Sequence, residues 1–255
     1  MPQLSIRFRA HDKKGILMSE PSLIVRRDDR DAQGNLRPEH LDEIGRTLQA
    51  SGFVLLPSDT AYSIAAWLDT AQIRDNINTI LKRGDDPISL AFPSLDLVRE
   101  WMEPNRIADL LFRRFTPGPI TVVCRASRLI PADVTEEAWR SQNRTIGIRI
   151  PNSAEERQVA EAGRTPITTV AVRDLASNDP VTSFTKAFEI VQAGMERIGG
   201  APWCAIEGEI LYPDTSSVVE IIGEDGSCRW IRDGAIPEPD IRACIADAMA
   251  ALQES

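Results

Sequence analysis

Residues 38–62 read PEHLDEIGRTLQASGFVLLPSDTAY. Pro38 opens a segment with Leu41, Ile44 and Leu48 on one helical face and Gly52 just past its end, the asymmetry of a proline-initiated, glycine-terminated helix. The run Phe53–Pro57 is too short for a core helix and reads as a buried strand stopping at Pro57, followed by the loop Ser58-Asp59-Thr60. Similar alternation continues downstream. Ile73, Ile77, Ile80 and Leu81 recur at helical spacing ahead of Lys82-Arg83 and Gly84, and Ile107, Leu110 and Leu111 mark a helix stopped by Pro117. Ser153-x-x-Glu156 has capping-box spacing. Phe184, Phe188, Val191, Met195 and Ile198 form one further apolar stripe, and Ile241, Ile245, Ala248 and Leu252 another. Strands are expected between these helices, at about 119–124, 145–150, 203–206, 216–222 and 228–232. Helices interleaved with short strands define an α/β or α+β domain.

The chain has 255 residues, 42% hydrophobic and 26% charged, enough for a sizeable core. Lys plus Arg total 29 against 38 Asp plus Glu, a net charge of −9. That balance disfavours a broad, non-specific hold on nucleic acid or an anionic membrane, while leaving room for a local basic pocket. The four cysteines, Cys124, Cys204, Cys228 and Cys244, contain no Cys-x-x-Cys pair, so neither a zinc site nor a disulfide framework is indicated. Only His11 and His40 are present, which argues against a histidine metal site or a Ser-His-Asp triad. The first residues carry no apolar signal-like core, and no run is long enough to span a bilayer, so a cytoplasmic location and no membrane partner are expected. The turn-rich, charged stretch RRDDRDAQGN lies within residues 1–37, read as an N-terminal extension; residues 38–255 form the domain, ending in a helix. Neither the G-x-x-x-x-G-K-[ST] loop nor a G-x-G-x-x-G turn occurs, so a nucleotide must be held another way.

Several side chains are candidates for chemistry. Thr145–Ile150 alternates, with Ile146, Ile148 and Ile150 on one face and Thr145, Gly147 and Arg149 on the other. Gly147 leaves room for a ligand, making Arg149 a candidate carboxylate or phosphate clamp; by pattern alone, an exposed arginine in a surface ion pair fits better. Arg232 shares strand parity with Cys228 and Trp230 ahead of the turn Asp233-Gly234, where a rim arginine is the ordinary reading. Ser58, Thr60 and Tyr62 offer hydroxyls at a strand end, although hydroxyls near a turn are usually caps. Thr116-Pro117-Gly118-Pro119 reads as a tight turn that could also wall a pocket.

In order along the chain, Gly52–Tyr62, Lys82-Arg83, Thr116–Thr121, Thr145–Pro151, Ser216–Glu220 and Ile231–Ala235 resemble the YrdC/YciO family. Its pattern runs P-T-D-T-x-Y-G-L, K-x-R, P-G-P-x-T, T-x-G-x-R-x-P, S-T-V-V-D and R-x-G-A. The similarity covers roughly residues 40–237. It implies a YrdC/RibB-like fold: a twisted open mixed β-sheet flanked by helices, with a concave basic face. It also implies L-threonylcarbamoyladenylate chemistry, made from ATP, threonine and bicarbonate for the N6-threonylcarbamoyladenosine of tRNA, with Mg²⁺ on the ATP phosphates and no metal held by the protein. By position, Thr60, Arg149 and Ser216, with Ser58, Tyr62 and Ser217 nearby, would hold threonine. Lys82, Arg83, Thr145, Arg173 and Arg232 would contact the nucleotide, and Lys82, Arg83 and Arg149 would be the catalytic cations.

Some positions depart from the pattern. Lys82 and Arg83 are adjacent, which on a helix end sets them about 100° apart. Val170-Ala171-Val172-Arg173 stands where the family has T-S-A-N, and together these features resemble the YciO branch more closely. The branch suggests binding of AMP or an acyl adenylate, with hydrolysis as an alternative to synthesis. A second class of function is a double-stranded RNA or tRNA-binding module, supported by nine Arg against six Asp or Glu in residues 99–149. A third is a binder of another small anionic ligand. Arg149 and Arg232 are expected in one concave pocket, with Arg149→Ala costing little stability.

Overall fold

The computed structural model describes residues 20–68, 71–84, 88–128, 144–163 and 165–253. Ten strands form one mixed sheet: β1 Leu23–Val25, β2 Phe53–Pro57, β3 Tyr62–Ala65, β4 Ser89–Ala91, β5 Ile120–Arg125, β6 Thr145–Arg149, β7 Ile167–Ala171, β8 Trp203–Ile206, β9 Ser217–Ile221 and β10 Cys228–Arg232. Their spatial order is β1-β8-β2-β3-β7-β4-β6-β5-β9-β10. The described helices are α1 Pro38–Gln49, α2 Ala71–Leu81, α3 Leu95–Trp101, α4 Arg106–Phe115, α5 Ala154–Gly163, α6 Phe184–Arg197 and α7 Glu238–Gln253. The sheet is open and helix-flanked, the α/β class expected.

β2 is buried at all five positions because helices cover both its faces. Phe53 and Leu55 join Ile73 and Ile77 of α2 and Val191 and Met195 of α6 in one cluster. Val54 and Leu56 join Ile44 and Leu48 of α1 and Val159 of α5 in another. A strand covered on both faces reads as a continuous apolar run rather than an alternating one. At the other end of the sheet the layers are asymmetric. Ile146 and Ile148 of β6, Val122 of β5 and Val219 of β9 pack with Leu111 and Phe112 of α4 and Ile241 of α7. The opposite face of the same strands is the one that forms the site.

The boundary expected after residue 37 falls inside the folded unit. β1 pairs in parallel with β8, Leu23 opposite Cys204 and Val25 opposite Ile206. Val25 is fully buried and Leu36 nearly so. The polar stretch is itself anchored: Arg27 donates to the Gly208 carbonyl at 2.8 Å and Arg30 to the Glu207 carbonyl at 2.6 Å. A three-residue edge strand carries too little periodicity to read, and arginines satisfied by backbone oxygens look like a solvated loop.

Three central strands and one helix, β3, β4, β7 and α3, also escape the sequence pattern. β7 reads ITTVA, yet Thr168 is fully buried and accepts a hydrogen bond from the Ala66 amide at 2.8 Å. Hydroxyls satisfied in this way remove the apolar signature without removing the strand. The capping box is half formed: Ser153 Oγ accepts from the Glu156 amide at 3.2 Å, while the Glu156 carboxyl oxygens make no hydrogen bond. Thr116-Pro117 is a cis peptide in the turn into β5, and Gly118 donates to the Ile150 carbonyl at 2.9 Å.

Leu36→Ala should lower the unfolding free energy by about 2–4 kcal/mol, as for other buried leucines. Urea denaturation checks this; a change within about 0.5 kcal/mol, the usual result for surface positions, would return residues 20–37 to the status of an appendage.

Candidate functional site

Period-2 alternation in β5, β6, β7 and β9 sends one set of side chains into the apolar cluster and the other onto a concave face. There Thr121, Val123, Thr145, Gly147, Arg149, Thr169, Ala171, Val218 and Glu220 line a cavity of about 960 Å³. Gly147 forms part of the floor. A Cβ there would stand 2.8 Å from Ser89 Oγ and 3.4 Å from a Thr121 methyl, so only glycine leaves that floor open. Thr60, from the loop after β2, closes one end.

Six cations, Lys82, Arg83, Arg149, Arg173, Arg229 and Arg232, line this cavity together with two carboxylates, Asp174 and Glu220. Both carboxylates are already engaged. Lys186 pairs with Asp174, and with the Ser177 and Ala176 amides holds its carboxyl far below the usual range. Arg229 lies 2.7 Å from Glu220. Arg173 donates to the Asn178 carbonyl at 2.8 Å, and Arg232 to Ser216 O and Oγ at 2.9 and 2.7 Å; neither makes an ion pair among the described residues. Burial, with the charges of Arg149 and Arg173, brings the Arg232 guanidinium down to about 10. In an acidic chain, this concentrates unbalanced positive charge in one depression, which favours an anion.

Arg149 is not the exposed arginine that its pattern suggested. It is 7% exposed and pairs with Asp59, which is fully buried. Asp59 also accepts from the Asn152 amide at 3.1 Å, and its carbonyl accepts from the Leu211 and Tyr212 amides at 3.0 and 2.9 Å. The guanidinium therefore stands at a crossing of three chain segments; it lines the cavity, while its Nε is buried without a partner.

The expected site residues divide into two groups. Thr60, Lys82, Arg83, Thr145, Arg149, Arg173, Ser216 and Arg232 line the cavity. Three others do not. Ser58 is fully buried, with its hydroxyl 3.4 Å from Asp59. Tyr62 sits in the core, where its hydroxyl donates to the Gly208 carbonyl at 2.9 Å and accepts from the Gly208 amide at 3.1 Å, and burial pushes its phenol up. Ser217 points away and clips Ile236, donating to its carbonyl at 2.6 Å and accepting from its amide at 3.0 Å.

Two local distortions set the cation positions. α2 ends at Leu81 and Lys82 takes φ 50°, so the 100° helical separation does not apply and both Lys82 and Arg83 reach the cavity. In β10 the pairing shifts between Trp230, opposite Val219, and Arg232, opposite Val218. Strict alternation would leave Arg232 on the side of Cys228 and Trp230, which pack on the apolar cluster; the bulge turns it into the cavity. Sequence reasoning passed over Asp59 as a ligand-side residue, as well as Arg229 and Glu156. Asp59 was legible only as a loop residue, and the spacing Ser153-x-x-Glu156 marked Glu156 only as part of a capping box.

Such a depression, lined by six cations on an open α/β sheet, suits an anionic ligand. A family model for Sua5, YciO and YrdC, described as telomere recombination, matches residues 46–234, and the chain belongs to that family. A putative threonylcarbamoyl-AMP synthase of Methanocaldococcus jannaschii is 23% identical over 209 residues, covering 82% of this chain and 92% of the relative. The P. abyssi Sua5 structure complexed with L-threonine superposes with a TM-score of 0.69 at 20% identity, over 88% of this chain. This chain spans only 60% of that one. E. coli YciO superposes with a TM-score of 0.67 at 16% identity, over 84% of this chain and 95% of YciO.

Arg149→Ala should cost about 3–5 kcal/mol of stability, because it leaves the Asp59 carboxylate buried without its counter-charge. This reverses the small cost expected of a pocket arginine. Arg232→Ala, whose partner Ser216 is neutral, should cost markedly less; denaturant midpoints of the two variants in parallel decide it, and equal small shifts would mean that the buried pair contributes nothing.

Proposed function

We propose that this chain binds an aminoacyl-type adenylate, L-threonylcarbamoyladenylate or a close analogue, and acts on its acyl-phosphate linkage. The observation that carries the reading is that one cavity holds Thr60, Arg149 and Ser216 together with Lys82, Arg83, Thr145, Arg173 and Arg232. The first set suits an amino acid and the second a nucleotide. Family membership and the M. jannaschii relative support the same substrate class.

In this reading Arg149 receives the threonine carboxylate on the donors that Asp59 does not use, and Thr60 supplies a hydroxyl beside it. Lys82, Arg83 and Arg232 face the phosphate and offset charge on its equatorial oxygens. In the synthetic direction, a carbamate oxygen attacks the α-phosphorus and the bond to the pyrophosphate oxygen breaks. In the hydrolytic direction, water opens the acyl adenylate and releases AMP. Both are positioning and electrostatic catalysis, to which histidine is unnecessary. Among the described residues no three His, Cys, Asp or Glu side chains converge as a metal site, and Asp174 and Glu220 are engaged by cations. Mg²⁺ enters this reading only on the substrate's own phosphate oxygens.

Arg173, where the family pattern has Asn, adds charge but no amide to orient a triphosphate, and this favours adenylate binding over vigorous synthesis. The RNA-binding alternative rests on a regional charge excess that ion pairs partly neutralise. Of the described arginines in 99–149, Arg149 lines the cavity, whereas Arg99 and Arg113 pair with Asp109, and Arg125 and Arg128 lie beside Glu103.

Thermal shift with AMP, ATP, threonine and short duplex RNA should show stabilisation by AMP and not by RNA. Arg232→Ala should weaken AMP binding about 10–100-fold, the loss of a charged hydrogen bond to phosphate. Pyrophosphate release from ATP, with and without threonine and bicarbonate, is expected to be weak, and AMP release from threonylcarbamoyl adenylate stronger. Vigorous threonine-dependent release would assign the synthetic direction; no binding of AMP or the adenylate would remove the reading.

A further inference from the structure

Beneath Arg149 lies an acid that the site chemistry above does not use. Glu156, on the first turn of α5, is fully buried, and neither carboxyl oxygen has a hydrogen-bond partner. The capping-box bond that would normally occupy it is not made. The charged groups acting on it are Arg149 of β6 and Asp59 of the loop after β2; the nearby hydroxyls are those of Ser58 and Thr169. Of the other elements packed on α5, β2 and β4 carry no titratable side chain, and none of the charged groups of α1 acts on Glu156. Thr169 Oγ1 is likewise buried without a partner. One guanidinium thus faces two buried carboxyls, of which Asp59 holds the direct bond.

Charge balance in this cluster decides whether a third carboxylate can enter. With Glu156 ionised, Arg149 and its two buried acids sum to −1, and a ligand carboxylate at Arg149 would make −2. With Glu156 neutral, the Arg149–Asp59 pair sums to zero, and an entering carboxylate meets only the cavity's cations Arg173 and Arg232, which bond neutral groups. Like charges held together in low dielectric cannot all stay ionised. We propose that Glu156 is a positioning residue, a neutral buried acid that leaves Arg149 free to accept one ligand carboxylate and that couples this acceptance to a proton. Burial, its largest influence, pushes the Glu156 carboxyl up, and the Asp59 charge adds to that, against the opposing pulls of Arg149 and of the Ser58 and Thr169 hydroxyls.

The proposal rests on the reading of Arg149 as a carboxylate clamp, so its test has one arm with ligand and one without. In the first, L-threonine binding is measured by calorimetry from about pH 5 to about pH 7, below the range in which an α-amino group titrates. Wild-type affinity should fall with rising pH, by up to about tenfold per unit once Glu156 ionises, with proton uptake visible as a buffer-dependent heat. Glu156→Gln, neutral at every pH, should bind with unchanged or higher affinity and show neither effect. A variant that keeps the wild-type pH profile, or one that folds but loses threonine at every pH, overturns the proposal. AMP serves as control: binding of AMP without threonine at any pH means that the threonine reading has failed, and the second arm then decides about Glu156.

That second arm compares melting temperatures without ligand. A carboxyl whose folded pKa is raised stabilises most below its unfolded pKa, and that contribution is lost as pH rises through the folded value. The advantage of Glu156→Gln over wild type should therefore widen as pH rises. A constant gap overturns the proposal whatever ligand Arg149 takes.

Discussion

The buried pair of Arg149 and Asp59 is the interaction on which the cavity depends. Its partners come from the end of β6 and from the loop between β2 and β3, and Asp59 also fixes the Asn152 amide and the Leu211–Tyr212 backbone. A buried ion pair contributes little net stability, because the cost of removing both charges from water offsets most of their attraction. What it contributes is geometry. It holds the side chain that faces the ligand and the three segments framing it in one arrangement, and Tyr62 reinforces this by gripping Gly208 at the start of the same 207–214 loop.

Much of the fold was legible because apolar residues announce which faces they bury. β2 was visible as an unbroken run because α1 and α5 cover one side and α2 and α6 the other. β6 was visible as alternation because one side of it is core and the other cavity. What escaped was written in polar residues satisfied by backbone. β7 hides behind Thr168, which accepts from the Ala66 amide, and the edge strand β1 hides beside arginines that donate to carbonyls 207 and 208. Strand length matters too: β4 has three residues, too few for any period to emerge.

At the site, sequence reasoning named five of the six cations that line the cavity but not how they get there. Residue identity can show that Arg232 is present; it cannot show that β10 gains a residue between Trp230 and Arg232 and so reverses the face that arginine takes. The positive φ at Lys82 is similarly invisible, and both deviations bring a cation inward. Ser58, Tyr62 and Ser217 were wrongly grouped with the lining because a motif marks a neighbourhood, while alternation and turns decide which members look inward. Glu156 shows the opposite error. A familiar helix-start spacing suggested a capping role for a carboxyl that makes no capping bond and lies in the interior.

The strand order has a consequence for how the protein is made. β1 and β2 are neighbours in the chain but not in the sheet, for β8 lies between them and pairs with both. As a ribosome releases the chain from its N-terminal end, Leu23–Val25 and one edge of Phe53–Pro57 have no partner until residue 206 has emerged. An apolar strand therefore waits with one edge open through most of synthesis. Nascent chains of this topology are exposed to edge-to-edge pairing with one another, so a holdase or slow, spaced translation serves this protein more than any gain in its final stability.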